Sequence, residues 1–161
     1  MLVILGDGPL RKEVGLYIRK HNLSNIRIDA PTSDVAKYYE VSEILVMTSI
    51  FEGFPLVLAE SMSRGCVPIA FDSFKSVHDI VDSGRNGILI KPFKIQDYAN
   101  GLSQLVHNAH QLKLMSTAAR ETVKEIDIES IGNQWIKLFL KLYEDRIYNK
   151  SCQSSSDTPG R

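Results

Sequence analysis

The chain is short of cysteine, of tryptophan and of any excess charge, and each shortage removes a class of protein. Two cysteines in 161 residues, Cys66 and Cys152, supply neither a metal-ligand spacing nor a disulfide framework. Cys66 lies in an apolar context and Cys152 in a polar one, as expected of a reduced, cytosolic chain. The four histidines, His21, His78, His107 and His110, are scattered without an HExxH or related pairing, so no zinc site is expected. Nineteen basic residues balance nineteen acidic ones; that leaves no general attraction for nucleic acid or an anionic membrane. The longest aliphatic runs, such as Ile44–Met47, fall far short of the ~20 residues that cross a bilayer. Met1 runs straight into Leu2-Val3-Ile4-Leu5 without a charged n-region or a small-residue cleavage site, so no secretory leader is expected.

What is present is the composition of a globular domain: 43% apolar and 24% charged residues. A chain of this length buries roughly 70% of its extended surface and needs no metal or disulfide staple. Short runs rich in Val, Ile and Leu recur at 2–5, 26–28, 44–48, 67–71 and 88–90, separated by helix-compatible segments. They lack polar alternation, as do strands buried on both faces. Strands alternating with helices predict right-handed βαβ units, hence an α/β fold with a Rossmann-like parallel sheet flanked by helices. Pro9 is read as opening a helix through His21, and Pro55 one through Arg64. Ser33 or Asp34 is a candidate cap for a helix over 35–40, and Ser76 for one over 77–81. Gly65, Gly84 and Gly87 fall where helices or turns should end.

Beyond residue 95 the alternation stops. Segments 95–109, 111–125 and 130–148 read as consecutive C-terminal helices. The last carries Ile131, Trp135, Leu138, Phe139, Leu142 and Tyr143 at three- and four-residue spacing, with core packing the expected role of Trp135 and Tyr143. The domain is thus placed at 1–148, with a disordered polar tail over 149–161. A doubly wound sheet usually has more ahead of its first strand, so the chain reads as a piece of a longer protein.

The densest chemical signal is the stretch 44–60. A strand ends near Thr48-Ser49, a short loop carries Glu52-Gly53-Phe54, and a helix begins near Pro55. Ligands of open parallel sheets bind beyond the carboxyl ends of the strands, where helix N-termini offer unpaired N–H groups to phosphate. Gly53 removes a side chain where a ligand must approach the backbone. Glu60 stands among Leu56, Val57, Leu58, Ala59 and Met62 on a helix expected to be largely buried, where a carboxylate needs donors. The vicinal hydroxyls of a ribose would supply them, and so would Arg64, four residues on. Glu52, outside the helix, either projects into the cleft toward a sugar hydroxyl or caps backbone amides.

Rival signatures are incomplete. Gly6-Asp7-Gly8-Pro9-Leu10-Arg11 supplies G-x-G, but Arg11 occupies the place of the third glycine of a dinucleotide fingerprint. No G-x-x-x-x-G-K-[ST] occurs. Asp7 and Lys91 match a receiver-like acidic site only in part. Lys75 and Arg85 read as solvated loop cations, Asp72 and Ser73 as turn residues, and Asn86-Gly87 as a turn dipeptide.

Ser49-Ile-Phe-Glu52-Gly-Phe-Pro-Leu-Val-Leu-Ala-Glu60-Ser-Met-Ser-Arg-Gly65-Cys-Val-Pro68 resembles the signature of the GT-B glycosyltransferases of family 4, the group 1 transferases, whose core is an E-x7-E motif. Three further blocks resemble the family in the same order: Leu5-Gly6-Asp7-Gly8-Pro9-Leu10, Asp34-Val-Ala-Lys-Tyr-Tyr39, and Val81-Asp82-Ser-Gly84-Arg-Asn86-Gly87-Ile-Leu-Ile90. The resemblance covers residues 2 to about 147. It implies a nucleotide-sugar site in which Glu60 binds the ribose hydroxyls and Glu52 lies near the transferred sugar. The backbone amides of Gly53, Phe54, Pro55 and Leu56 would approach the sugar or diphosphate, with proline lacking an N–H of its own. The base would rest on the loop at Ala30-Pro31-Thr32, and the loop at Asp72-Ser73 would lie near the donor sugar.

The resemblance further implies retention of anomeric configuration, a UDP-sugar or GDP-sugar donor, no cofactor and no divalent metal. It implies a saccharide or lipid-linked acceptor in polysaccharide or glycolipid synthesis, no nucleic acid partner, and a cytoplasmic location with peripheral placement at the inner face of the membrane. The family's diphosphate-neutralising Arg and Lys and its N-terminal acceptor domain would lie before Met1. This chain therefore reads as the C-terminal donor-binding part, inactive alone, with the last helix packing across the other half. A non-catalytic nucleotide-binding or protein-interaction module is the alternative.

Overall fold

The computed structural model describes residues 1–154, with side chains through residue 146. The chain forms two compact units, Met1–Tyr38 and the residues from Tyr39 onward.

The first unit is one βαβ turn: β1 (Leu2–Leu5), α1 (Arg11–Lys20) and β2 (Ile26–Asp29). The two strands run parallel, with Leu2 opposite Ile26 and Leu5 opposite Asp29. Pro9 does not open the helix. The Gly8 carbonyl accepts the Arg11 N–H at 3.0 Å, which makes Pro9 the second residue of a β-turn, and Leu10 becomes the N-cap. Asn22, in the left-handed conformation at φ 52°, turns the chain away from the end of α1. A short helix, α2 (Ala36–Glu40), follows.

The second unit carries β3 (Ile44–Met47), β4 (Val67–Phe71) and β5 (Ile88–Ile90), all parallel in the order β3-β4-β5. Every residue of the central strand is buried, so its two faces each need a cover. On one face Val67, Ile69 and Phe71 pack with Tyr98, Leu105, Leu112 and Met115. On the other, Ala70 packs with Leu58, Met62, Val77, Ile80, Ala119 and Val123. The covers are α3 (Leu56–Ser63), α4 (Ile95–His107) and α5 (Ala109–Lys124), the last capped by the Asn108 side chain on the Gln111 amide at 3.0 Å. Pro55 is the N-cap of α3 rather than its first residue. The expected helix over 77–81 is instead a 3-10 helix at Lys75–Asp79 with Phe74 as N-cap. Ser76 does not cap it, because its hydroxyl is turned to the Gly53 carbonyl.

Two glycines end elements as expected, Gly65 at φ +90° and Gly84 at φ +92°. Gly87 has another reason. A Cβ there would lie 2.7 Å from the Pro68 carbonyl oxygen and 2.9 Å from Val81 Cγ1, so close packing on β4 requires it. Its neighbour Asn86 is more than a turn residue. It is fully buried, accepts from the Asp82 amide and donates to the Ile80 carbonyl and the Thr122 hydroxyl. Cys66 is buried, with its thiol directed at the Tyr39 and Ser42 carbonyls, and burial pushes its pKa up.

The last helix, α6 (Ile128–Ser154), departs from expectation in two ways. Trp135 and Tyr143, expected in the core with exposure toward the other half as the alternative, are 54% and 64% exposed, and Leu138, Phe139 and Leu142 are exposed with them. The heptad-like spacing makes an apolar face, but no described element covers it. The helix also runs six residues past 148 into the segment read as a disordered tail, since no proline or glycine stands between Gly132 and Pro159 to stop it. Residues 155–161 lie outside the described residues.

Candidate functional site

Two loops leave the carboxyl ends of β3 and β4. The first, residues 48–55, carries Glu52 and Gly53; the second, 72–74, leads into the 3-10 helix. Phe51, Glu52, Gly53, Ser73, Phe74, Lys75, Ser76 and Asp79 line a cavity of about 460 Å³ between them. This is where a parallel sheet offers a binding site, since the strand ends aim their loops and the following helix start at one place.

Glu52 is half-buried and makes no ion pair or side-chain hydrogen bond among the described residues. It does not cap the amides of α3, which has no side-chain cap. The N–H groups of Gly53 and Phe54 likewise have no acceptor among the described residues. A Cβ on Gly53 would meet nothing within 4 Å and its φ is not left-handed, so neither packing nor backbone conformation demands glycine there. The missing side chain opens the cavity instead. Phe54 and Leu56 are exposed at the start of α3, and Pro55 is buried beneath them.

No site residue was assigned from sequence on the cavity's other wall, although the family resemblance sets the loop at Asp72-Ser73 near the donor sugar. Ser73 Oγ donates to the Ser49 carbonyl at 2.9 Å and Ser76 Oγ to the Gly53 carbonyl at 2.7 Å. His78 Nε2 meets Asp72 Oδ1 at 2.7 Å, closing the loop on its far side. Lys75 lies exposed on the rim and forms no ion pair among the described residues. The position of these residues just after an all-buried strand was the available signal, but their polar, turn-like composition masked it. Arg85, the other loop cation considered, lies 3.8 Å from Asp82.

The structure overturns the expected burial of Glu60 and its pairing with Arg64. α3 buries Leu58, Ser61 and Met62, and Glu60 lies on the opposite, exposed face. Arg64 does not pair with it; that guanidinium reaches Glu40 at 3.2 Å. The Glu60 carboxylate therefore stands in solvent with no partner among the described residues. The end of the same helix is satisfied by α5: Ser116 donates to the Gly65 carbonyl and Arg120 to the Arg64 carbonyl.

In the first unit, Ala30, Pro31 and Thr32 form an exposed loop after β2, with Thr32 Oγ1 accepting the Asp34 amide at 3.1 Å. The adjoining Asp29 carboxylate is committed: Arg27 Nε lies 2.9 Å from one oxygen and the Tyr38 hydroxyl donates to the other at 2.9 Å. That hydrogen bond raises the Tyr38 pKa. Arg11 explains the broken G-x-G-x-x-G. Its guanidinium donates to the carbonyls of Gly6 and Asp29, at the ends of β1 and β2, a task glycine cannot perform. A cavity of about 350 Å³ borders the Gly6–Arg11 turn, with Ile4, Leu5, Val14 and Ile28. Glu52, Gly53, Phe54, Pro55, Leu56 and Glu60 thus belong to the second unit, and Ala30, Pro31 and Thr32 to the first.

A family of known proteins shares this sequence pattern. The sequence model of the glycosyl transferases group 1 matches residues 1–122. The chain belongs to that family. An uncharacterized glycosyltransferase of Haemophilus influenzae is 35% identical over 104 residues, covering 65% of this chain and 30% of the relative. The poly(ribitol-phosphate) alpha-N-acetylglucosaminyltransferase of Staphylococcus aureus is 31% identical over 138 residues, 84% of this chain and 28% of the relative. Among solved structures, TarM superimposes with a TM-score of 0.77 at 29% identity, over 85% of this chain and 28% of that one. Anabaena HepE, at 20% identity and a TM-score of 0.78, shares the fold. The group 1 chain therefore has the α/β fold of GT-B glycosyltransferases, with parallel sheets flanked by helices, and spans about 30% of the length of the relatives compared. Among its described residues no helix is long and apolar enough to cross a membrane.

Proposed function

We propose that this group 1 chain is the donor-binding part of a family 4 glycosyltransferase that takes a nucleoside-diphosphate sugar and passes the sugar to an acceptor hydroxyl with retention. The observation that carries the reading is the loop at 52–54. A half-buried carboxylate, unpaired among the described residues, faces a cavity, and the two amides beside it, ahead of the uncapped α3, have no acceptor among them. Free amides at a helix start suit the leaving diphosphate. An unpaired carboxylate suits sugar hydroxyls, which donate to it, and the positive charge that develops at the anomeric carbon.

In this reading Glu52 meets the transferred sugar, Glu60 holds the ribose hydroxyls, and Ala30-Pro31-Thr32 supports the base. Glu60 fits the role because it is exposed and its carboxylate makes no hydrogen bond or ion pair among the described residues, so a ligand can take it without breaking a bond of the fold. The donor is a UDP-sugar or GDP-sugar, handled without a divalent metal or cofactor. UDP is the first to try, because TarM, 29% identical to this chain, has been solved in a complex that includes UDP. The acceptor is a saccharide or lipid-linked saccharide of polysaccharide or glycolipid synthesis, held by an N-terminal acceptor domain at the cytoplasmic face of a membrane.

Calorimetric titration of this chain with UDP and GDP tests the reading, beside Glu60→Ala. Saturable binding that falls about tenfold or more in Glu60→Ala is the expected result. Binding unchanged in that variant would remove Glu60 from the site.

A further inference from the structure

We infer that Ser73 and Ser76 are positioning residues for Glu52, setting how the site meets the donor sugar. The inference rests on the reading of Glu52 as the sugar-facing carboxylate and adds the device that holds it in place.

The segment that carries Glu52 has almost nothing of its own to hold it. The pairing of β3 with β4 ends at Met47 and Ala70, and α3 begins at Leu56. Between them, residues 49–53 make no backbone–backbone hydrogen bond among the described residues. Hydrophobic anchoring comes only at its far edge, where Pro55 is buried; within 49–53, Phe51 is 84% exposed, and nothing lies within 4 Å of where a Gly53 side chain would be. Among the described residues, the only hydrogen bonds on this stretch come from outside it. Ser73 takes the Ser49 carbonyl and Ser76 the Gly53 carbonyl, one on each side of Glu52.

The loop that supplies these hydroxyls is, by contrast, anchored. Phe74, between the two serines, and Val77, just after them, are buried in the core beside Ala70 and Leu58. The Asp72–His78 contact closes the loop on itself. The Asp72 N–H also donates to the Ile90 carbonyl at 2.8 Å, tying the loop to β5. A pinned loop thus holds an unpinned one by two hydroxyls, and the held residue is the carboxylate in the cavity. A carboxylate left free to move within its loop loses most of its value as a sugar contact, since the geometry must then be ordered at the moment of binding.

The test compares UDP with UDP-glucose, UDP-galactose and UDP-N-acetylglucosamine by calorimetry on this chain, using whichever sugar donor binds more tightly than UDP. Ser73→Ala/Ser76→Ala is expected to erase about tenfold of that gain, with UDP affinity changed less than twofold. The same two changes added to Glu52→Gln are expected to cost nothing further, because they act through that carboxylate. Ser76→Thr, which keeps the hydroxyl, is expected to keep the gain that Ser76→Ala loses. Hydrogen exchange is expected to speed up over residues 49–55 in the double variant and stay unchanged in β3, β4 and α3.

A wild-type chain that binds no donor more tightly than UDP, or a Glu52→Gln variant that keeps the full gain, would overturn the reading of Glu52 and the inference with it. A gain lost in Glu52→Gln but kept in Ser73→Ala/Ser76→Ala would overturn the inference alone.

Discussion

The phenol of Tyr98, on α4, donates to the carbonyl of Ile69 in β4. The same hydroxyl lies 3.1 Å from the Met47 amide and 3.2 Å from the Met47 carbonyl, so one side chain ties the carboxyl end of β3 to the middle of β4. Met47 is two residues ahead of Ser49, and Ile69 three ahead of Asp72. The helix on the far face therefore fixes the platform from which both loops of the cavity spring.

This arrangement makes stability sensitive to alkali. Burial pushes the Tyr98 pKa from its usual 10.0 up to about 12. Between those values the unfolded chain has lost the phenolic proton while the folded chain keeps it, so the folded state weakens as pH rises through that window. The thiol of Cys66, also raised by burial, acts in the same direction from about pH 9. Urea unfolding at pH 8 and pH 11 should show a fall on the order of 1–2 kcal/mol. Tyr98→Phe should cost about 1–3 kcal/mol at pH 8 and make the alkaline fall shallower. An unchanged pH dependence in that variant would place the effect elsewhere.

Glu60 should be dispensable for folding. It is exposed and has no partner among the described residues, so Glu60→Ala should change stability by no more than about 0.5 kcal/mol. Thermal unfolding of the free chain measures this directly. A loss above about 1 kcal/mol would mean that the carboxylate supports α3 rather than waiting for a ligand.

Asn86 should be the reverse case. Its amide joins the Asp82 amide, the Ile80 carbonyl and the Thr122 hydroxyl inside the protein. Asn86→Leu fills much of the volume but leaves those groups without partners, at a cost of about 1–3 kcal/mol for a stranded buried group. Denaturant titration should show a lower midpoint with an unchanged slope; a midpoint equal to wild type would refute the assignment.

Two glycines should separate packing from function. In Gly87→Ala the new methyl would meet the Pro68 carbonyl oxygen at 2.7 Å, and backbone cannot yield as a side-chain tip does. A loss of about 1–3 kcal/mol is expected. Gly53→Ala meets nothing within 4 Å and should leave the melting temperature alone while weakening donor binding. Equal melting temperatures for Gly87→Ala and wild type would contradict the close approach to β4.

The strands were legible from composition alone. Runs of Val, Ile and Leu marked 2–5, 67–71 and 88–90 with their observed limits, but the burial on both faces expected of such runs holds only for β4; β1 and β5 have no buried residue. The turn at Glu52-Gly53 was legible because a parallel sheet has one binding end, and the motif stood at it. Partner choice was not legible. Arg64 has carboxylates four residues away on its own helix and, at Glu40, 24 residues away, and only the packing of α2's end near α3 selects Glu40. Ser73 read as a turn residue and Ser76 as a helix cap because their acceptors are 24 and 23 residues distant, brought close only by the pairing of β3 with β4. The apolar spacing of α6 likewise announces a face and says nothing of its cover. Periodicity and turn chemistry act over a few residues, so one-dimensional order encodes them. Which carbonyl a hydroxyl finds across a sheet depends on the strand order, and that exists only once the chain has folded.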